Sequence, residues 1–425
     1  MIARALALSA ALIAAVGAGP VRAATPVAPV MRPPHLTPDP STPEAGIWGL
    51  SDKAEAHVKG SADLETDSAL NAYVRGVVCK VATEYCADLR VYVLDRPVFN
   101  AAAAPNGYVE VNSGLLLRAE TEDQLAFVLG HEVTHFARNH TLERWQSAKN
   151  TANVMMVLQL GVAVVAAGAM YSAAGSGAPG STNTINSISQ TAQAVNDLIY
   201  LAGLAAFFGF NREEESEADR LGFGRAASGG YHGGDSVDLW QDLVAETQAS
   251  DFPTVRKSET RGSMFNTHPL TAERIAALQG LAGGSGGAPD MAARRAYRAH
   301  IRPHLGEWLK DDLRRRDYGQ SLHLIDRLEA VGEDLGVLEF YRGEALRQRR
   351  HDGDPPLALA AYKTAVSRSD APPAAWRELG DAAKKAGDAA AARQAFQDYL
   401  VHAPDAQDRW IVEASLKSMQ PAGNP

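Results

Sequence analysis

The residues that first suggest chemistry are His131-Glu132-Val133-Thr134-His135, an H-E-x-x-H run. Positions i and i+4 share one face of a helix, so both imidazoles can reach a single zinc ion. Glu132 then sits beside the first ligand, where its carboxylate can take a proton from water on the metal. A catalytic zinc also needs a third protein ligand and an open fourth position. Downstream spacing supplies no such ligand. A second H-x-x-G-x-x-H segment would need Gly at Arg138 and His at Thr141, which are absent. On a continued helix, His140 points well off the ligand face, and Glu143 is poorly placed to complete a tetrahedron. A ligand from a separate helix is the better expectation. The acidic stretch Asn211-Arg212-Glu213-Glu214-Glu215-Ser216-Glu217-Ala218-Asp219 provides one. Asp219 is one turn from Glu215 on the same face, and the alternative for Glu213 to Glu217 is an acidic solvated face.

The elements that must hold these residues are legible from periodicity and caps. Thr121 can cap a helix running to about His140, with Glu122 and Asp123 suited to its first turn and Leu125, Val128 and Leu129 at helical spacing. A charged helix is expected over Asn211 to Ala226. Residues from about Ser51 to Ala82 carry a helical pattern through Leu64, Leu70, Tyr73, Val74 and Val77. Leu89 to Leu94 alternates as a strand, and Gly107 to Asn112 is a second strand entered through the turn Pro105-Asn106-Gly107. Cys79 and Cys86 are the only cysteines. In one unbroken helix they would lie about 10 Å apart along the axis, so a bridge requires the helix to end between them; otherwise they are two buried thiols.

Several short elements together resemble the zinc peptidases of the HtpX and prenyl-protein-processing type. H-E-x-x-H is followed by E-x-x-x-D with Ala218 before the acid, together with Arg212 and Gly222. Asn100-Ala101 through Pro105-x-Gly107-Tyr108 matches an N-A-x-x-x-P-x-G segment, and Thr267-His268-Pro269-Leu270 with Arg274 matches an H-P-x4-R element. The resemblance covers roughly residues 60–280. It implies a gluzincin-like domain, mainly helical with a small sheet (α+β). His131, His135 and Glu215 would be ligands of one Zn²⁺, and Asp219 an orienting or proton-donating acid. His268 would reach the metal or the oxyanion, and Arg274 would stabilise developing negative charge. For His268-Pro269 the alternative is a capping turn before a helix starting near Thr271.

The remaining sequence frames this core. The chain has 425 residues, 46% hydrophobic and 21% charged, enough for two or three packed domains. Its 41 basic and 50 acidic residues give −9, and no basic segment stands out, which argues against nucleic acid as a partner. Residues 1–23 read as a signal peptide: Arg4, then an apolar stretch from Ala5 to Val16, then Val21-Arg22-Ala23. Cleavage would leave 39 basic against 50 acidic residues, or −11, in a protein exported to a periplasm. Residues 24–50 are rich in Pro and read as a linker, 51–282 as the peptidase domain, 283–292 as a Gly-rich linker and 293–425 as a helical repeat domain. Asn153 to Tyr171 and Leu198 to Phe210 are apolar runs, one marginal and one too short for a membrane span; they are expected to cover the site or touch a membrane surface.

In the C-terminal part, Trp376-x2-Leu379-Gly380-x2-Ala383 with Ala392, Phe396, Tyr399 and Pro404 falls at tetratricopeptide-repeat offsets, and Trp410 follows Trp376 by one period of 34. Gly343, Ala358, Tyr362 and Ala365 suit a preceding repeat. An exported zinc peptidase with such a tail resembles the periplasmic BepA-type peptidases, which implies unfolded or misassembled protein substrates and contact with the outer-membrane assembly machinery. The expected activity is that of a zinc-dependent endopeptidase. The rivals are a chaperone-like repeat adaptor with a silent metal site and a membrane-embedded peptidase.

Overall fold

A computed structural model describes residues 30–149, 209–257, 268, 272–283 and 290–419. The segment read as a signal peptide, the apolar run 153–171, most of 198–210 and the Gly-rich 284–289 lie outside the described residues. Among the described residues no helix is long and apolar enough to cross a membrane.

The first helix, α1 (Pro43–Lys59), begins inside the segment read as a linker. Thr42 caps it by accepting from the Ala45 amide, and Pro43 occupies a first-turn position whose amide would be unpaired anyway. The helical pattern of 51–82 divides, because α1 ends at Lys59 and α2 (Ser68–Val81) starts anew from an Asp67 cap. A 3₁₀ turn at Thr83–Tyr85 follows. The helix therefore ends between the two cysteines, and Cys79 and Cys86 form a disulfide with Cα atoms 4.7 Å apart.

Strands β1 (Arg90–Leu94), β2 (Ala101–Ala103) and β3 (Tyr108–Asn112) form a sheet in the order β1-β3-β2. β1 runs parallel to β3, pairing Arg90 with Tyr108 through Leu94 with Asn112, while β2 is antiparallel and pairs Ala101 with Val111. Gly107 makes the turn into β3 at φ 84°, where a Cβ would lie 2.3 Å from the Asp88 carbonyl oxygen. After α3 (Ser113–Arg118), helix α4 (Glu122–Ala137) carries the H-E-x-x-H residues, with Thr121 accepting from the Gln124 amide. Every residue of α4 from Gln124 to Ala137 is buried. A buried Arg32 latches its C-terminal end: the Arg32 amide donates to Ala137 O, and the guanidinium lies 4.2 Å over the Phe136 ring.

Helix α5 (His140–Lys149) follows a sharp turn, and α6 (Arg212–Ser228) returns across α4 from a capping box in which Asn211 and Glu214 bond each other's backbone amides. The layer is completed by α7 (Gly234–Gln248), α8 (Pro253–Arg256) and α9 (Ala272–Leu281). Helices α10 (Met291–Ile301), α11 (Leu305–Arg314) and α12 (Tyr318–Glu329) then pack onto this domain. Two antiparallel pairs follow, α13 (Leu335–Arg349) with α14 (Asp354–Val366) and α15 (Ala374–Lys385) with α16 (Ala389–His402), and α17 (Arg409–Ser418) ends the stack. Gly343 and Gly380 let the partners close: a Cβ on either would meet the Tyr362 or Phe396 ring at 2.4 or 2.5 Å.

Candidate metal centre

Helices α4 and α6 cross at two glycines. A Cβ on Gly130 would lie 2.9 Å from Gly222 O, and one on Gly222 would lie 2.7 Å from the His131 amide nitrogen. The missing side chains let the two backbones touch, which brings Glu215, two turns before Gly222, over the imidazoles of α4.

The result is a buried group of His131, His135, Glu215 and His268, with one donor atom from each lying within 4.8 Å of the others. His131 Nε2 is 3.1 Å from His135 Nε2 and 3.3 Å from His268 Nδ1. Glu215 Oε1 lies 2.8 Å from His268 Nδ1 and 3.5 Å from His135 Nε2, and its Oε2 is 3.5 Å from His131 Nε2. A tetrahedral ion bound at roughly 2.0–2.1 Å has ligand atoms about 3.3 Å apart. The observed edges therefore match a four-coordinate cradle, and neutral imidazoles with a carboxylate suit a divalent ion. Burial, with the neighbouring His131, His268 and His140, holds His135 well below its ordinary pKa, in the neutral form that can ligate. Burial raises the Glu215 carboxyl, but His268, His131 and Arg274 outweigh it and keep the group below the usual carboxylate range.

Glu132 is 1% exposed, its Oε1 has no hydrogen-bond partner among the described residues, and it lies 3.6 Å from His268 Nε2. Burial pushes its pKa up, against the pull of His268 and His131. Asp219 Oδ1 faces His131 Nδ1 at 3.0 Å. Burial raises the Asp219 carboxyl, yet hydrogen bonds to Arg274 and His131 hold it at about 2. Arg274 does not point freely into the cleft. Its Nε and Nη2 donate to Asp219 at 2.6 and 2.7 Å, and its Nη1 lies 2.7 Å from Glu215 Oε2. The guanidinium thus clamps two acids of α6 together, a geometry that differs from the open cation expected to meet developing charge. The helix expected near Thr271 begins at Ala272.

Two more residues are in contact with the cluster: His140, expected to point off the ligand face, and Phe210, the end of an apolar run expected to cover the site or touch a membrane surface. His140 does not point away: its Nδ1 lies 2.9 Å from His135 Nδ1, and its Nε2 is 3.0 Å from Glu217 Oε2. The continued-helix reading fails because α4 ends at Ala137 and Asn139 takes a left-handed φ of 57°, which swings His140 back onto the ligand face. Phe210, buried, stacks on the His135 ring at 3.6 Å between centroids. No spacing rule singles it out.

A buried H-E-x-x-H helix crossed by a second helix that brings a carboxylate to the same point is the architecture of a metallopeptidase. The model of peptidase family M48 matches residues 64–282, and the chain belongs to that family. It is 23% identical to the beta-barrel assembly-enhancing protease of Escherichia coli over 297 residues, 65% of this chain and 55% of that protein. A Vibrio cholerae counterpart is 26% identical over 184 residues, 43% of this chain and 32% of that protein. The mitochondrial metalloendopeptidase OMA1 of Bos taurus is 43% identical over 54 residues, 13% and 10% of the two chains. The chain thus spans from about a third to just over half the length of the assembly-enhancing proteases it matches.

Proposed function

We propose that this protein is a zinc-dependent endopeptidase of the periplasm that cuts unfolded or misassembled envelope proteins. The observation that carries the reading is the convergence of His131, His135 and Glu215 on one point, with Glu132 beside it. These three residues would hold Zn²⁺. When bound, zinc lowers the pKa of water and polarises a scissile carbonyl. Glu132 accepts the water's proton at its carboxylate and passes it to the leaving amine; burial raises its pKa toward the range such a base needs. Asp219, ionised and gripped by Arg274, orients His131 through Nδ1 and does not serve as a proton donor. Arg274 fixes Glu215 and Asp219 in register.

The names of the bacterial relatives, which place those proteins in β-barrel assembly, support an envelope substrate. The stacked pairs α13–α14 and α15–α16 offer the repeat surface on which such a substrate or an assembly partner would dock. A second reading concerns regulation. His268 Nδ1 sits among the ligand atoms, 3.3 Å from His131 Nε2, where it would fill the fourth position and hold the resting enzyme latent.

Metal content and casein cleavage, each measured with and without a chelator, test the function. About one zinc per chain with chelator-sensitive proteolysis is expected. A protein that takes up no divalent ion would leave only a helical scaffold.

A further inference from the structure

Each α4 imidazole that faces the cluster has its outer ring nitrogen against another group. For His131 the partner is Asp219, which α6 brings directly. For His135 the group at the outer nitrogen, Nδ1, is His140 and not a carboxylate of α6. Glu217 is two residues from Glu215, about 200° around the helix, and so projects away from the centre. His140 bridges that gap. It is 1% exposed, and its two ring nitrogens lie 2.9 Å from His135 Nδ1 and 3.0 Å from Glu217 Oε2. Glu217 is fixed in turn by Arg138, whose Nε is 3.0 Å from the same carboxylate oxygen.

We propose that His140 and Glu217 are positioning residues for His135, forming a carboxylate–imidazole–imidazole relay that sets its tautomer and ring orientation. This rests on the reading of His131, His135 and Glu215 as metal ligands. The proton logic leaves one arrangement. His135 presents Nε2 to the cluster, so its remaining proton is on Nδ1 and is donated to His140 Nδ1. His140 must then carry its own proton on Nε2, and it donates that proton to Glu217. Reversing any link would place a proton on the nitrogen that faces the cluster. Left-handed Asn139 is what makes the relay possible, because a continuous helix would carry His140 around to another side. Interactions of this kind behind a metal ligand are worth about 10–100-fold in metal affinity.

Competition for Zn²⁺ against a chromophoric chelator tests the relay, alongside melting of the metal-free protein. His140→Phe keeps the ring but loses both contacts, and should bind zinc about 10–100-fold more weakly while the metal-free protein melts as the parent does. His140→Asn restores an acceptor near Nδ1, and His140→Gln restores a group near Nε2. Asn should therefore recover more affinity than Gln, an order that a merely space-filling role would not produce. Glu217→Gln should lose several-fold. Zinc binding as tight as the parent's in both His140→Phe and Glu217→Gln would overturn the relay while leaving the metal centre intact. If His140→Phe fails to fold, the order of Asn and Gln together with Glu217→Gln decides, and equal affinity across those three also overturns it. A parent that binds no zinc would remove the metal centre itself and the relay with it.

Discussion

The proposed mechanism gives Glu132 and His268 opposite roles around one cluster, and single substitutions separate them. Glu132→Gln keeps the side-chain shape and leaves His131, His135 and Glu215 in place, so zinc content should stay near one per chain. Casein cleavage should fall by at least about 10²-fold, the scale of a lost general base; a variant that cleaves at the parental rate would remove Glu132 from the chemistry. His268→Ala empties the position 2.8 Å from Glu215 Oε1. Initial rates on casein should rise, and an unchanged or lower rate would end the latency reading. At this scale the sequence was informative about which residues meet: helical spacing put His131 and His135 on one face, and the resemblance pointed to Glu215 and Asp219, which α6 brings beside them. It was silent where a backbone reversal intervened. Asn139 redirects His140 through a single dihedral, and the partners of Arg274 come from a helix more than fifty residues away.

The candidate metal centre depends on how closely α4 and α6 approach, and two glycines set that distance. Gly222→Ala places a methyl 2.7 Å from the His131 amide nitrogen, against backbone that cannot rotate away. The helices must separate, at a cost of about 1–3 kcal/mol in stability, and Glu215 moves with α6. Thermal melting should show the loss and zinc affinity should fall. An unperturbed melting temperature together with parental affinity would mean that the crossing relaxes elsewhere. The Thr121 cap and helical spacing located α4, and the charged run from Asn211 located α6, whose cap in the fold is Asn211 itself. β2 was not legible: Ala101-Ala102-Ala103 has weak strand propensity and is extended because β3 offers it a partner. The density of prolines before residue 50 suggested a linker, yet Thr42-Pro43 is also a helix start, and only burial of Ile47 and Ser51 against the domain decides between the two.

At the scale of the whole chain, the change of composition near residue 283 suggested two domains joined by a tether, but buried contacts cross it. Tyr297 donates to Leu116 O, and Trp308 Nε1 donates to Asp95. At the centre, Arg118 on α3 bonds Glu246 on α7 and Asp312 on α11, each at 2.7 Å, with all three side chains no more than 4% exposed. Ser321 on α12 also donates to Asp312, at 2.6 Å. Composition cannot reveal such a network, since its charges are far apart in sequence and become complementary only after folding. Asp312→Asn takes one of two carboxylates from Arg118 and leaves Glu246 to balance the buried guanidinium, so it should cost about 1.5–3 kcal/mol at neutral pH, the scale of a lost hydrogen bond to a charged group. The dependence on pH has a definite sign. Burial raises the Asp312 carboxyl, but Arg118 and Arg315 outweigh it and hold the group at about 2, below its unfolded value. A depressed carboxyl contributes stability above its unfolded pKa, and that contribution disappears as pH falls through the folded value. The difference in unfolding free energy between parent and Asp312→Asn should therefore be constant from pH 7 down to about 5 and shrink between about 4 and 2. Urea unfolding at stepped pH measures it. A difference that persists undiminished at pH 2 would show that the carboxylate's charge is not what joins the helices after residue 290 to the peptidase domain.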